Sequence, residues 1–432
     1  MEGLAALAPY TEHLLELLSR FSPQDLEVQQ HAIRNLDGYA SAQFRRLVPR
    51  DTRRAAGTFF TGSTLRQRML TPYRHVIEAG ASVVDPACGI GDLLLAAADQ
   101  LPTKLAPEDR LQRVQRQISG LDLHAPLVDA AAARLALWAT LAGSPTVHTS
   151  DFKVTVGDAL TGQLDLTEFD LVLLNPPYAA VTTKASWATG RVTEAAPFTI
   201  DVARRTSPGT RIAAILPDVL RTGSRYEKWR SAMEEYVDIV SIDVVGVFDK
   251  WTDVDVFIAH LRRRDSSTPP NHTDSWTEDA DAGVASLATL ASISVGDVVP
   301  HRHTDGHTDS PFLTIDTVPV WATTMETTAR IKHDGRLHQP PFVLLRRTSA
   351  PTRTGGAIRA RGAVYNGTEP AAVENHLIVI RPIDGTLSTC MAIIDMLRHP
   401  STTDWLDRRL RLRHLTVKAL RELPLPAIEA GE

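Results

Sequence analysis

Residues 171–181 read LVLLNPPYAAV, four apolar residues running into Asn175-Pro176-Pro177-Tyr178. Neither proline has an N–H to give to a strand ladder, so a buried strand must stop there. The tetrapeptide offers acceptors and an aromatic face instead. The Asn175 side-chain oxygen and the Pro176 carbonyl are two acceptors that can be aimed at the hydrogens of an exocyclic amine such as N6 of adenine. That amine is a poor nucleophile because its lone pair is delocalised into the ring. Two acceptors drawing on its hydrogens favour the tetrahedral form and free the lone pair. Pro176 and Pro177 stiffen the backbone so that the carbonyl points outward, and Tyr178 supplies a face on which a flipped base can stack. Positioning and hydrogen bonding suffice for in-line transfer of a methyl group from a sulfonium, with no covalent intermediate and no metal.

A second constellation lies upstream. SVVDPACGIGDLLLAAA has the layout strand, acid, Gly-x-Gly, helix. Gly89 and Gly91 let the backbone approach a ligand at a helix N-terminus. Leu94 stands where a nicotinamide-binding loop has its third glycine, and Asp85 would set a carboxylate against a pyrophosphate. An acid at that place suits a ligand with a positive group, such as the amino end of S-adenosylmethionine. Asp122 ends the next strand, where it can take both ribose hydroxyls. Asp158 ends the strand after that and can accept from an adenine amino group. One such acid is an ordinary turn or cap residue. Three at successive strand ends, on the carboxyl edge of one sheet, describe a ligand site.

These residues need a wound α/β sheet to hold them. From Ser82 onward strand-like and helix-like segments alternate: ASVVD, GDLLLAAADQL, QISGLDL, PLVDAAAARLALWATLA, FKVTVGDAL, FDLVLLN, RIAAILP. SIDVVGVFDKWTDVDVFIAHL reads as an antiparallel hairpin at a sheet edge. Residues 1–50 form an N-terminal helical segment by their 3–4 apolar spacing, and residues 51–264 the catalytic domain. Residues 265–290 are polar, acidic and proline-containing, and read as a linker. Residues 291–432 read as a small α+β domain. TTKASWATGRV, after the tetrapeptide, reads as a polar loop that closes over a base or lies on a nucleic-acid backbone, with Lys184 and Arg191 as contacts.

Bulk properties narrow the class. A chain of 432 residues exceeds one core. No apolar run is long enough to span a membrane, and the N-terminus lacks a secretion signal. Cys88 and Cys390 alone suggest a reducing cytoplasm, without a disulfide framework or a cysteine zinc site. His301, His303 and His307 share no consistent face, so no metal is expected. The net charge is −5, yet Arg346, Arg347, Arg353 and Arg359 fall in a locally basic stretch that fits phosphate or base contacts.

The order GTFFTG, DPACGIG, LDL, GDAL, NPPY resembles the gamma-class N6-adenine DNA methyltransferases, over most of the chain from about Gly57. The resemblance implies a Rossmann-like sheet that uses S-adenosyl-L-methionine, with a C-terminal target-recognition domain. It places Gly57, Phe59, Phe60 and Thr61 near the methionine part of the cofactor. It makes Asp85, Ala87, Cys88, Gly89 and Gly91 the main cofactor loop. Asp122 with Leu123 becomes the ribose contact, Asp158 with Ala159 the adenine contact, and Asn175 borders both cofactor and substrate. Asn175, Pro176, Pro177 and Tyr178 become the catalytic motif, and Phe248 a second aromatic against the flipped base. The family often has proline where Gly62 stands. Duplex DNA is the implied substrate, in a restriction-modification or phage-defence setting, with a specificity or restriction subunit as a further partner. Two alternatives remain open: a methylating subunit that leaves sequence reading to a separate chain, and a methyltransferase for an RNA or protein amide nitrogen.

Overall fold

A computed structural model describes residues 2–55, 61–144, 147–248, 254–277, 285–302, 306–317, 319–323, 326–349, 358–410 and 414–425. It divides into two compact units, Met1–Trp276 and Thr277–Glu432. Among the described residues no helix is long and apolar enough to cross a membrane.

The first unit opens with helices α1 (Ala8–Ser19), α2 (Leu26–Leu36), α3 (Tyr39–Leu47), α4 (Arg50–Ala55), α5 (Ser63–Leu70) and α6 (Arg74–Ala79). The Asp25 carboxylate caps α2 by accepting the N–H groups of Glu27 and Val28. The sheet elements follow: β1 (Val83–Asp85), α7 (Asp92–Ala98), α8 (Pro107–Gln117), β2 (Ile118–Asp122), α9 (Ala125–Leu141), β3 (Lys153–Val156) and β4 (Leu171–Leu174). A small hairpin, β5 (Ala180–Ala185) and β6 (Ala188–Thr193), leads to α10 (Ala195–Arg205), β7 (Arg211–Pro217), α11 (Asp218–Thr222), α12 (Glu227–Glu234), β8 (Val237–Val247) and β9 (Asp255–Arg263). Apolar side chains of α1 to α3, among them Leu14, Ala32 and Phe44, pack with Leu127, Ala130 and Leu137 of α9. The N-terminal helices are therefore seated on the helix that follows β2.

The sheet has the order β3-β2-β1-β4-β7-β9-β8. Strands β1 to β4 and β7 are parallel neighbours, and β9 runs antiparallel to both β7 and β8. Buried on both faces, β4 and β7 are continuous apolar runs, as a covered parallel sheet requires. The chain winds from β1 outward to β2 and β3, then returns to β4 on the other side. That reversal opens a crevice at the carboxyl ends of β1 and β4.

Two sequence expectations change. The polar segment after Tyr178 is the antiparallel β5–β6 pair, with Trp187 buried at its turn. Its strands alternate Val181, Thr183 and Ala185 inward against Thr182 and Lys184 outward, the two-residue period of a half-covered strand. Residues 265–276, read as linker, are instead strapped along the edge strand β8. The Asn271 N–H donates to Asp238 at 2.8 Å, the Ile242 N–H to Asp274 at 2.7 Å, and the Thr273 hydroxyl to the Val240 carbonyl at 2.6 Å. Trp276 packs on Trp229 and Phe257. Polar residues suit that task because an edge strand presents unpaired backbone groups.

The second unit is built on an antiparallel sheet of Ala291–Val295, Leu377–Pro382, Phe342–Arg346 and Gly362–Tyr365 in that spatial order. Its core joins Ile293, Val343 and Ile380 to Ile393, Ile394 and Leu397 of the helix Leu387–Arg398, the α+β character expected from the sequence.

Candidate active site

The neighbouring strands β3, β2, β1 and β4 lead, in that spatial order, to Asp158, Asp122, Asp85 and Asn175. The loop after β1 is tied to these ends by backbone donors. Asp85 accepts the Ala87 N–H at 3.0 Å; Asp122 accepts the N–H groups of Gly89 and His124, each at 2.9 Å. The Cys88 N–H donates to the Leu121 carbonyl. Gly91 takes φ 81°, and a Cβ there would stand 3.1 Å from that of Ala131, so the residue answers both the left-handed backbone and the close approach of α9.

Burial dominates the electrostatics of this edge. Asp85 is 1% exposed, and burial pushes its carboxyl up to about 8, against the Ala87 N–H and with help from the Asp122 and Asp92 charges. Asp122 is raised as well, chiefly by burial, while its two backbone donors act the other way. Two adjoining carboxyls held this way favour a ligand that brings positive charge and donors. The Cys88 thiol is buried against Gly120 and held protonated, which does not suit a nucleophile. Asp158 accepts the Leu160 N–H at 2.9 Å. Ala159 is buried, and Leu123 is exposed on the open side of the edge. Burial, and after it the Asp158 charge, raises the Glu194 carboxyl.

At β4 the Asn175 Nδ2 donates to the Thr61 hydroxyl at 3.0 Å. The Tyr178 hydroxyl lies 2.8 Å from Asn175 Oδ1 and 3.1 Å from the Ile215 carbonyl. Pro176 is buried and Pro177 partly so. The rings of Tyr178 and Phe248 meet edge to face with centroids 6.3 Å apart. A cavity of about 480 Å³ opens beside Thr61, Asp92 and Phe248, with Val245 and Val247 on its wall. On the β5–β6 pair, Lys184 and Arg191 are exposed on one face, opposite Thr189 and Thr182 respectively.

Two residues that hold this edge together were not singled out in the sequence. Asp92 accepts the Thr61 N–H at 3.1 Å and Arg134 Nη1 at 2.9 Å. Arg134 is fully buried and also donates to the carbonyls of Ile90, Asn35 and Leu36. Its available signal was a single arginine inside the apolar, alanine-rich run of α9. For Asp92 it was an acid at the first helical position after Gly91, where the helix dipole favours one.

In the second unit, Arg346 and Arg347 stand partly exposed at the end of Phe342–Arg346. Arg359 does not belong with them. It is 1% exposed, and its guanidinium is taken by Asp407 at 2.7 Å and the Leu406 carbonyl at 3.0 Å. A buried guanidinium whose Nη1 is bound by a carboxylate and by the Leu406 and Leu410 carbonyls braces the fold, which corrects its assignment as a DNA contact. Gly57, Phe59, Phe60 and Arg353 lie outside the described residues.

Comparison with known proteins finds a family match for part of the chain. Residues 45–245 match the N-6 DNA Methylase family. The chain is 19% identical over 414 residues to the modification methylase CviBIII of Paramecium bursaria Chlorella virus NC1A, covering 90% of this chain and 100% of that one. Among solved structures it resembles the type IIL restriction-modification enzyme MmeI, solved in complex with DNA, at TM-score 0.56 and 13% identity over 88% of this chain and 69% of that one. It also matches the type IIG restriction endonuclease BpuSI at TM-score 0.46 and 13% identity, over 87% and 60% of the two chains. The strand-end acids and the Asn175 tetrapeptide lie within residues 45–245, the stretch that matches the N-6 DNA Methylase family, and the match supports an adenine-specific DNA methyltransferase.

Proposed function

We propose that the chain is a gamma-class enzyme that methylates N6 of an adenine flipped out of duplex DNA, with Asn175 and Pro176 as the acceptors for the amine. The observation that carries this reading is the meeting of Asn175, Tyr178 and Phe248 at the end of β4, one strand from the buried Asp85. Asn175 Oδ1 and the Pro176 carbonyl draw on the two amine hydrogens, so the nitrogen lone pair leaves conjugation and points along the line of transfer. The Tyr178 ring carries the flipped base, and Phe248 borders it.

The loop residues fit S-adenosyl-L-methionine. The raised Asp85 carboxyl matches an ammonium, Asp122 has lone pairs left for ribose hydroxyls, and Asp158 stands where an adenine amino group would be read. Ala87, Cys88, Gly89 and Gly91 supply the backbone of the cradle, and Leu123 and Ala159 its apolar walls. When bound, that cofactor supplies a methyl group on a sulfonium.

Lys184 and Arg191 on the β5–β6 face, with Arg346 and Arg347 in the second unit, are the proposed DNA contacts. Similarity to a modification methylase of nearly the same span supports a restriction-modification role, which suits a cytoplasmic setting. The length of the second unit favours a chain that reads its own target over one dependent on a separate specificity subunit. The test offers the purified chain duplex DNA, RNA and a glutamine-containing peptide in parallel with methyl-labelled cofactor. Label in DNA recovered as N6-methyladenine is expected. Label only in RNA or peptide overturns the substrate, and label in DNA only after addition of a second subunit overturns self-sufficiency.

A further inference from the structure

We propose that Thr61 is a positioning residue for catalysis, whose hydroxyl holds the Asn175 amide in place at the end of β4, and that Asp92 and Arg134 hold Thr61 in turn. This rests on the reading of Asn175 as the amine acceptor. An asparagine amide has two ends of nearly equal size and opposite hydrogen-bonding sense. An amide that swings out of line no longer presents Oδ1 to the amine, and the polarisation on which transfer depends is lost.

Two hydroxyls border the amide. Nδ2 donates to Thr61 Oγ1 at 3.0 Å, and Thr61 is 4% exposed. On the other side, the Tyr178 hydroxyl has one proton for two acceptors, Asn175 Oδ1 at 2.8 Å and the Ile215 carbonyl at 3.1 Å. The Thr61 hydroxyl is the contact that holds the Nδ2 end of the amide.

Thr61 is itself secured through its backbone. Its N–H meets Asp92 Oδ2 at 3.1 Å, and the other Asp92 oxygen takes Arg134 Nη1 at 2.9 Å and Arg66 Nη1 at 3.4 Å. Arg134 has no exposed surface and reaches the Asn35 and Leu36 carbonyls at the end of α2. A continuous set of hydrogen bonds therefore runs from the N-terminal helices, through the start of α7, to the amide at the end of β4. The N-terminal helical segment acquires a role in this arrangement: it clamps the arginine that steadies the threonine.

The test uses the full chain with Thr61→Val, which keeps shape and removes the hydroxyl, and Thr61→Ser, which restores it. Three quantities are read: cofactor affinity by calorimetry, the single-turnover rate of methyl transfer to duplex DNA, and the side-chain amide signals of Asn175 in protein labelled with ¹⁵N-asparagine. The chain has five asparagines, so Asn175→Asp assigns the signal. The expected result for Thr61→Val is a loss of about tenfold or more in rate, the worth of one directed hydrogen bond. The rate is read at saturating cofactor, so that a Thr61 contact to the methionine part of the cofactor shows in the affinity and not in the rate. The Asn175 amide signals move, and rate and signals both return in Thr61→Ser. Weakened cofactor binding with an unchanged rate would make Thr61 a cofactor contact only and overturn the proposal, as would unmoved amide signals. If the wild type transfers no methyl to DNA, the substrate reading fails, and the amide signals still decide the positioning role. Thr61→Ala replaces Thr61→Val if the valine variant does not fold.

Discussion

The ring of Phe248 stands edge-on to that of Tyr178, with centroids 6.3 Å apart and planes at 79°. One residue follows β4 and the other follows β8, so strands on different sides of β7 and β9 bring two aromatics to one place. A base resting on the Tyr178 face would have the Phe248 ring along its border. Base–aromatic stacking is worth ~1–3 kcal/mol per base. Phe248→Ala is expected to weaken retention of the flipped base accordingly, read as lower 2-aminopurine fluorescence at the target position and a raised KM for DNA. Unchanged fluorescence would remove Phe248 from the base pocket.

Asp85 makes cofactor binding depend on pH. Its carboxyl is raised from an ordinary 3.8 to about 8, so at pH 7 it keeps its proton. A ligand ammonium beside it favours the carboxylate, and binding below pH 8 must expel that proton. Affinity is expected to rise with pH up to about 8 and then level off. Calorimetry at pH 7 in buffers of differing ionisation heat should show net proton release, and no release would contradict the contact.

The same shift sets a stability trend. A carboxyl raised on folding contributes stability that is full below 3.8 and is lost as pH rises through 8. Asp85→Asn should therefore melt higher than the wild type near pH 8 and bind the cofactor poorly. A lower melting temperature for the variant at that pH would show that the buried charge is compensated.

Lys184 and Arg191 share the outer face of the β5–β6 pair. If both contact phosphates, the double alanine variant should reduce the slope of log K against log salt by about 2, near 0.9 per contact. Arg359→Met should leave that slope alone. It breaks a buried pair with Asp407, a loss of ~3–5 kcal/mol, which denaturant titration would show. A changed slope in the Arg359 variant, with stability intact, would return that arginine to the DNA face.

The difference between Arg359 and Arg347 shows what a sequence withholds. Both sit in one basic stretch, and only the fold decides that one guanidinium is enclosed beside Asp407 while the other stands at a strand end. Asp85, Asp122, Asp158 and Asn175 were legible because each marks the end of its own strand, a local pattern whose spatial sum follows from sheet topology. Asp92 and Arg134 lie 42 residues apart, and nothing local joins them. Strands β5 and β6 were hidden for another reason. Apart from Val181 and Val192 their inward residues are small or hydroxylated, so the two-residue period carries little hydrophobic contrast. The strap after β9 looked like a linker because the groups it satisfies are backbone, which has no signature in composition.

The most direct measurement compares the wild type with Asn175→Ala on the same unmethylated duplex and the same cofactor, with nucleosides quantified by mass after digestion and cofactor affinity measured alongside. N6-methyladenosine is expected from the wild type and none above background from the variant, with cofactor affinity largely retained. Transfer by Asn175→Ala at a rate near that of the wild type would contradict the assignment of Asn175 as the acceptor that activates the amine.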